Sequence, residues 1–275
     1  MRRAALALAT MALAILLASG VAQAIINGQR DGNRHPYVGA LVTEFEVAPG
    51  KTELLPACSG TLISPTVFLT AGHCTEFLIE EDLPTYVSFD PTYKPGKSEL
   101  VSGTPYLHPD YCVGCGPPGV EWLPGYDVGV VVLDEPVEMA TYGRLPNANR
   151  VDTLPKRSPL TVVGYGASDF ATGGGPQQPI YPDIRQRASV EYLGTKGMAN
   201  QVGEGVFIKT TGSGMGQGGE GACYGDSGGP FFLPNQKTVV AVTSFGPQSG
   251  IPCSGPEYAQ RVDLPVVLRW VRSFL

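Results

Sequence analysis

The chain has 275 residues, 25 acidic and 19 basic, giving a formal net charge of −6. This acidic balance argues against nucleic acid as a partner, because binding to phosphates requires a basic surface. Glycine and proline number 36 and 25, while 43% of the residues are hydrophobic. That composition predicts a packed core of many short strands joined by tight turns.

Residues 1–24 have the pattern of a secretory signal peptide. Two arginines precede an apolar run that ends near Ala18, and the sequence AQA at 22–24 fits the small-residue rule for a cleavage site. A membrane anchor is the alternative, but the run is shorter than the roughly 20 apolar residues that a bilayer span needs. We therefore predict a secreted, extracellular protein with no membrane partner. A cut after Gly20 would instead leave a short propeptide.

Ten short segments rich in β-branched residues are predicted to be strands. They are Tyr37–Thr43, Val67–Thr70, Tyr86–Phe89, Val128–Leu133, Leu160–Val163, Ala188–Tyr192, Val206–Thr210, Pro230–Leu233, Thr238–Ser244 and Tyr258–Val262. The polar, proline-punctuated stretch at 134–159 has no clear strand and is interpreted as a linker between two β units.

The C-terminus carries the only long helical periodicity in the sequence. Asp263 is placed to cap a helix over about 264–275. Its apolar residues recur at helical spacing, which predicts packing on the body: Val266, Val267, Trp270, Val271 and Phe274.

The stretch GACYGDSGGP at 221–230 places four glycines around Ser227. Few side chains there can pack, and glycine lets a ligand approach the main chain closely, so a site is predicted. The segment also matches G-x-S-x-G, the nucleophile motif of the α/β-hydrolases, so this motif alone leaves the fold open.

A serine hydroxyl needs a neighbouring base, usually histidine. His73 is the candidate, because it follows an apolar strand and adjoins Cys74. His35 and His108 precede prolines in polar contexts and are predicted to lie in surface loops. Asp127 opens the most continuous apolar strand, where a buried carboxylate would orient the imidazole; an exposed turn aspartate is the alternative.

Three segments resemble the signatures of the trypsin/chymotrypsin-like serine proteases: TLISPTVFLTAGHC (61–74), YDVGVVVL (126–133) and GDSGGP (225–230). The order His, Asp, Ser is that of this family, whereas an α/β-hydrolase has Ser, Asp, His, and no histidine follows Ser227. The resemblance covers essentially the whole mature chain. It implies an all-β fold of two six-stranded antiparallel β-barrels, at about 25–140 and 155–262, with the active site in the cleft between them.

The resemblance also implies roles for the matching residues. His73, Asp127 and Ser227 would form the catalytic triad, and the amides of Gly225 and Ser227 would stabilise the oxyanion. The substrate pocket would be lined by Gly221, Ser244, Phe245 and Gly246. The α-amino group of Ile25, once exposed, would pair with Asp226.

Six cysteines in an exported chain are predicted to be paired, because the compartment is oxidising. The resemblance implies the disulfides Cys58–Cys74 and Cys223–Cys253. Cys112 and Cys115 match no family bridge, and a CxxC could bind metal or do redox chemistry. A second CxxC is missing, so we predict a small loop disulfide.

The sequence determines the specificity pocket less fully than it determines the catalytic triad. In the family, the residue six before the serine forms the pocket base, and an aspartate there selects Lys or Arg. Gly221 in that position favours an apolar side chain before the cut. The stretch at 253–258 departs from the family pattern and leaves two alternatives. An intruding Pro256 would admit only small side chains, whereas an inward Glu257 would accept a basic one.

The sequence thus predicts a monomeric serine endopeptidase that acts on proteins or peptides through an acyl-enzyme, with protein protease inhibitors as further partners. The alternative is a catalytically inactive binding protein on the same fold, but such proteins usually lose a triad residue and none is lost here. No cofactor is expected. Acidic residues at 76–82 lie where some relatives carry a calcium loop, yet no metal is assigned.

Overall fold

The computed structural model describes residues 25–115, 118–119, 121–171, 177–197, 203, 205–215, 219–234, 237–247 and 251–275. The expected signal peptide at 1–24 lies outside these residues. Within the described ranges, no helix is long and apolar enough to span a bilayer.

The first barrel is a closed antiparallel sheet of six strands. Before it, the chain forms the short strand β1 (Gln29–Arg30). The barrel strands are β2 (Val38–Ala48), β3 (Lys51–Leu62), β4 (Val67–Thr70), β5 (Tyr86–Ser88), β6 (Val101–Leu107) and β7 (Gly129–Leu133). They are hydrogen-bonded in the order β2-β3-β4-β7-β6-β5. Fully buried apolar side chains, among them Leu41, Phe68 and Val130, fill the interior.

The second barrel also has six strands. They are β8 (Pro159–Gly164), β11 (Gln186–Gly194), β12 (Phe207–Thr210), β13 (Pro230–Phe232), β14 (Val239–Phe245) and β15 (Glu257–Arg261). The order is β8-β11-β12-β15-β14-β13, and β13 pairs with β8 to close the sheet. A separate hairpin is formed by β9 (Asp169–Ala171) and β10 (Gln178–Ile180). The predicted fold of two six-stranded antiparallel barrels is confirmed.

The start of the described chain belongs to the second barrel. Ile25 is fully buried in its core, and β1 pairs with β11. The sequence interpretation had counted this segment with the first barrel, whose strands begin only at Val38. The stretch at 134–159 forms no strand before β8 and contains a single 3-10 turn, Arg150–Thr153, so it connects the two barrels as predicted.

All ten predicted strands are present. The short strands β1, β9 and β10 and the two barrel strands β3 and β6 were not predicted. Both barrel strands are interrupted by a proline, Pro56 in β3 and Pro105 in β6, and neither contains a continuous apolar run. β3 is extended because it pairs along its length with β2, and β6 because it pairs with β5 and β7. Pairing with distant strands therefore outweighs weak local propensity.

The two helices depart from the sequence interpretation in different ways. Helix α1 (Gly72–Glu80) was not predicted, because it is only nine residues long and its N-cap Ala71 provides no side-chain cap. Helix α2 (Pro265–Arg272) was predicted, and it buries Val267 and Val271 as expected. The capping role given to Asp263 was wrong.

The Asp263 carboxylate does not reach the amides of α2. Leu264 is the N-cap residue, without a side-chain hydrogen bond. The carboxylate instead accepts hydrogen bonds from the Val151 amide, at 2.7 Å, and from the Arg261 guanidinium. An ion pair with a buried arginine thus replaces the cap.

Candidate active site

The barrel geometry brings His73 and Asp127 together at one edge of the first barrel. Strands β4 and β7 are antiparallel neighbours in which Thr70 pairs with Gly129. The chain just after β4 therefore lies beside the chain just before β7. His73 is in the first turn of α1 and Asp127 stands two residues before β7, so both side chains project from this shared edge.

The Asp127 carboxylate is fully buried and fully hydrogen-bonded. Its Oδ1 accepts from the His73 backbone amide at 2.7 Å, and its Oδ2 lies 2.9 Å from His73 Nδ1. The Ser244 hydroxyl donates to Oδ2 at 2.5 Å. With the carboxylate ionised, Nδ1 carries the proton and Nε2 is left as an acceptor.

Burial and charge act in opposite directions on this pair. Burial alone would lower the pKa of His73, but the charge and hydrogen bond of Asp127 outweigh it and raise the pKa above its ordinary value. Burial alone would raise the pKa of Asp127, yet the His73 and Ser244 contacts hold it below its ordinary value. The arrangement favours an ionised carboxylate and stabilises a protonated imidazole.

Ser227 lies in the loop before β13 of the second barrel and faces His73 across a cavity. Both residues line this space of about 580 Å³, together with apolar side chains from the first barrel. No hydrogen bond joins these two described side chains in the structure; such bonds often form only when substrate is bound. The Ser59 amide donates to the Ser227 carbonyl at 2.8 Å, which ties the loop to the first barrel.

The turn around Gly225 and Ser227 contains two backbone amides that form no hydrogen bond within the described chain. Gly225 has φ of +90°, a conformation that favours glycine. Its carbonyl accepts a hydrogen bond of 2.9 Å from the Ser59 hydroxyl. In the described part of the chain, no acceptor is found for the backbone N–H of Gly225 or Ser227. Two such donors on one turn can bind a developing negative charge.

Asp226 is fully buried directly behind this turn. Its carboxylate accepts hydrogen bonds from the Gly166 amide at 2.8 Å and the Cys223 amide at 2.9 Å. No cation pairs with it among the described residues. Burial raises the pKa of Asp226 to about 7, although the two amide hydrogen bonds oppose the shift.

The buried N-terminal segment lies close to the same loop. Ile26 exchanges backbone hydrogen bonds with Gly221, at 3.0 and 3.2 Å. Ile25 is fully buried with a left-handed φ of +60°. The structure therefore brings the Ile25 region to the segment that leads into Asp226.

A second cavity, of about 540 Å³, lies next to Ser227 in the second barrel. Ser244, Phe245 and Gly246, which the resemblance assigns to the substrate pocket, are among its lining residues. Gly221 is not part of the lining, because the Glu257 side chain lies against it and contributes to the lining instead. Pro256 also borders the cavity. The inward Glu257 that the sequence left open is thus the arrangement observed.

The cysteines form three disulfides, as expected. They are Cys58–Cys74, Cys112–Cys115 and Cys223–Cys253. The first joins β3 to the helix that carries His73, and the third joins the Ser227 loop to the wall of the second cavity.

The other two histidines lie away from the cleft. His108 is buried, stacked on Tyr126 and against the edge of Trp270, so its assignment to a surface loop was wrong. Burial lowers its pKa. His35 is partly buried, with Nδ1 2.6 Å from Asp31, and stacks on Phe232.

Of the acidic residues at 76–82, Glu76 and Glu80 belong to α1, whereas Glu81 and Asp82 follow its last turn. Glu76 accepts a hydrogen bond from the Tyr111 hydroxyl at 2.8 Å. Within the described ranges, the one group of possible metal ligands that lie close together is Cys58, His73 and Cys74, whose two sulfurs are joined in a disulfide. That group offers no free thiolate to a metal.

Three contributors to the site were not predicted. Ser59 links Gly225 to Tyr165, whose amide donates to the Ser59 hydroxyl at 3.0 Å. Gln260 accepts from the Asp127 amide at 2.9 Å. Phe45, on the long β2–β3 hairpin, stacks on Phe77 at the edge of the first cavity. None carries a local signal, because each contact joins distant parts of the chain.

Comparison with known proteins gives consistent results. The family model described as trypsin matches residues 26–271. A trypsin from Saccharopolyspora erythraea is 30% identical over 86% of this chain and 92% of its own length. Proproteinase E from Bos taurus is 29% identical over 68% of this chain and 72% of its own length. Spermosin from Halocynthia roretzi is 28% identical over 88% of this chain, which spans only 60% of that protein. The solved structure of HL collagenase has a TM-score of 0.63 at 22% identity, covering 90% of this chain and 97% of that one.

Proposed function

Because the chain belongs to the trypsin family, we propose that it is a secreted, active serine endopeptidase in which Ser227 is the nucleophile. One observation carries the proposal: the buried, fully hydrogen-bonded Asp127 holds His73 by two contacts, at 2.7 and 2.9 Å, on the cleft that Ser227 also lines. Three disulfides and the leader-like segment at 1–24 support secretion.

The proposed reaction proceeds through an acyl-enzyme. Ser227 Oγ attacks the peptide carbonyl carbon while His73 Nε2 takes the hydroxyl proton. The Gly225 and Ser227 amides stabilise the resulting oxyanion. His73 then gives its proton to the leaving amine as the peptide C–N bond breaks. Water, deprotonated by His73, then attacks the ester carbonyl, and His73 returns that proton to Ser227 Oγ as the acyl C–O bond breaks.

Hydrolysis of an unfolded protein substrate tests this proposal against a binding protein on the same fold. The chain starting at Ile25 is expected to release peptides with new termini, and the Ser227→Ala variant is expected to release none above background. Tight binding of the substrate without cleavage by either protein would favour the binding-protein alternative.

The pH dependence of kcat/KM is a further expected result. His73 must be neutral to accept the Ser227 proton, so the rate is lost as the pH falls through its pKa. Although burial opposes the shift, Asp127 raises that pKa above the ordinary 6.5. We therefore expect the acidic limb to have its midpoint above pH 6.5, measured with a small ester substrate. A rate that stays constant well below this pH would contradict the role of His73.

We also propose that removal of the leader completes the active form. Asp226 is a buried carboxylate without a cationic partner in the described chain, and the Ile25 segment is docked nearby. Cleavage after Ala24 would create an α-amino group at Ile25 that can move to Asp226. A charge pair there would stabilise the turn that presents the Gly225 and Ser227 amides.

The residue preferred before the scissile bond depends on the base of the second cavity. From Gly221, the sequence predicts apolar side chains, and the Phe245 wall suits them. That prediction assumes that no charged group lies at the pocket base, whereas the Glu257 carboxyl lies against Gly221. We expect the enzyme to act as a monomer on proteins or peptides, and protein protease inhibitors to bind the same cleft.

A further inference from the structure

The lining of the second cavity contains a carboxyl group that the proposed reaction does not use. Glu257 is the first residue of β15, and its exposure is only 7%. Glutamate is almost never buried to this extent without a partner. In the described part of the chain, neither carboxyl oxygen of Glu257 has a hydrogen-bond partner of normal geometry. An unpaired carboxyl in a concave site therefore needs a physical explanation.

Two glycines make room for this carboxyl. A Cβ added at Gly221 would overlap Glu257 Oε1, and one added at Gly212 would lie 2.9 Å from the same oxygen. The Glu257 carboxyl thus fills the volume that a side chain at position 221 would need. Glu257 and Ala222, the residue after Gly221, both line the cavity, so the space and the carboxyl belong to one site.

The free carboxyl is in an unfavourable environment. Burial raises the pKa of Glu257 well above its ordinary value, and the nearby Asp226 adds to the shift, while the Ala222 amide opposes it. Among the residues that the structure describes, no Lys, Arg or His lines the cavity. The remaining lining is mostly apolar, with Phe245 and the Cys223–Cys253 disulfide on the walls. A substrate cation entering this space would supply the missing partner.

We infer that Glu257 is the specificity-determining residue of the primary substrate pocket and pairs with a lysine or arginine side chain before the scissile bond. The charge comes from strand β15 instead of position 221. An apolar channel ending in one carboxylate accommodates the methylene stem of either residue and pairs with its cationic end. This inference rests on the proposed endopeptidase function, whose substrate class it specifies.

Binding of benzamidine, a small aromatic cation, tests the inference without requiring catalysis. The probe is titrated into the Ser227→Ala variant of the chain starting at Ile25, with and without Glu257→Gln. We expect the added substitution to weaken binding by about 100-fold or more, because it removes the charge opposite a buried cation. Equal binding by the two proteins would overturn the inference.

Glu220→Gln is the matched control. It removes the same charge near the cavity, but the Glu220 carboxylate accepts a hydrogen bond of 2.8 Å from the Ser189 amide on β11 and does not line the cavity. Benzamidine binding should remain unchanged in this variant. A similar loss in both variants would show a general charge effect and contradict the specific role of Glu257.

If the Glu257→Gln variant does not fold, peptide cleavage by the unmodified enzyme tests the inference instead. In a peptide library, Lys and Arg before the cut should exceed Phe, Leu and Ala by about 100-fold in kcat/KM. Cleavage after apolar residues without this preference would overturn the inference and leave the endopeptidase proposal intact. Glu257-dependent benzamidine binding with no cleavage of any peptide would support the pocket and contradict the endopeptidase.

Discussion

Replacing Ser227 or His73 with alanine is expected to reduce kcat by about 10⁴-fold or more, with little change in the free energy of unfolding. In the proposed mechanism Ser227 supplies the nucleophile, and His73 is the only histidine that lines the cleft in the described chain. Because the two groups act as a unit, the double variant should be hardly less active than either single variant. The measurement is peptide hydrolysis under saturating substrate, together with thermal unfolding of each protein.

Ser189→Ala is a suitable control for these variants. Ser189 is an exposed residue of β11 that lines neither cavity, so its replacement should leave kcat unchanged. If Ser227→Ala retained more than about a tenth of the wild-type rate, Ser227 would not be the nucleophile. Additive losses in the double variant would mean that the two residues act independently.

Retaining even one residue before Ile25 is expected to abolish most of the activity. An extension removes the α-amino group that would pair with the buried Asp226, and the loss of one partner from a buried ion pair costs about 3–5 kcal/mol. A cost of that size can disorder the turn that carries the Gly225 and Ser227 amides. The measurement compares the chain starting at Ile25 with the same chain preceded by a methionine.

The two forms should also differ in how stability depends on pH. Without a cationic partner, the pKa of Asp226 is raised from 3.8 to about 7, so the folded state binds a proton that the unfolded state has released. The extended form should therefore lose on the order of 4 kcal/mol of unfolding free energy as the pH rises from about 4 to about 7, and no more above it. Pairing with Ile25 should remove this loss. Equal activity and equal pH dependence of the two forms would contradict the activation proposal.

The sequence predicts those parts of the fold that have strong local signals. The apolar runs of β4 and β7 are identified within a residue, and α2 is identified from its repeated apolar face. Strand β3 and helix α1 escape prediction because their stability comes from distant partners. The Asp263 cap is wrong because its carboxylate accepts hydrogen bonds from the distant Val151 amide and from the neighbouring Arg261 instead of capping α2.

The residues of the site also fall into two groups, those with a local sequence signal and those without one. His73, Asp127 and Ser227 stand in recognisable motifs, and the structure places His73 and Ser227 on one cleft with Asp127 buried against His73. Ser59 and Gln260 act across 166 and 133 residues of sequence, so no local pattern reveals them. The orientation of the Glu257 side chain depends on the space that Gly221 and Gly212 leave for its carboxyl. Only the packed barrel defines this space.

Labelling with diisopropyl fluorophosphate tests the catalytic role of Ser227 most directly, because its reaction requires an activated serine and no particular substrate side chain. Ser227 Oγ would displace fluoride from phosphorus and pass its proton to His73. We expect peptide mapping of the chain starting at Ile25 to show a single adduct, on Ser227, that is nearly lost in His73→Ala. The absence of an adduct on Ser227 in the folded protein, or equal labelling of the His73→Ala variant, would contradict a serine endopeptidase built on these residues.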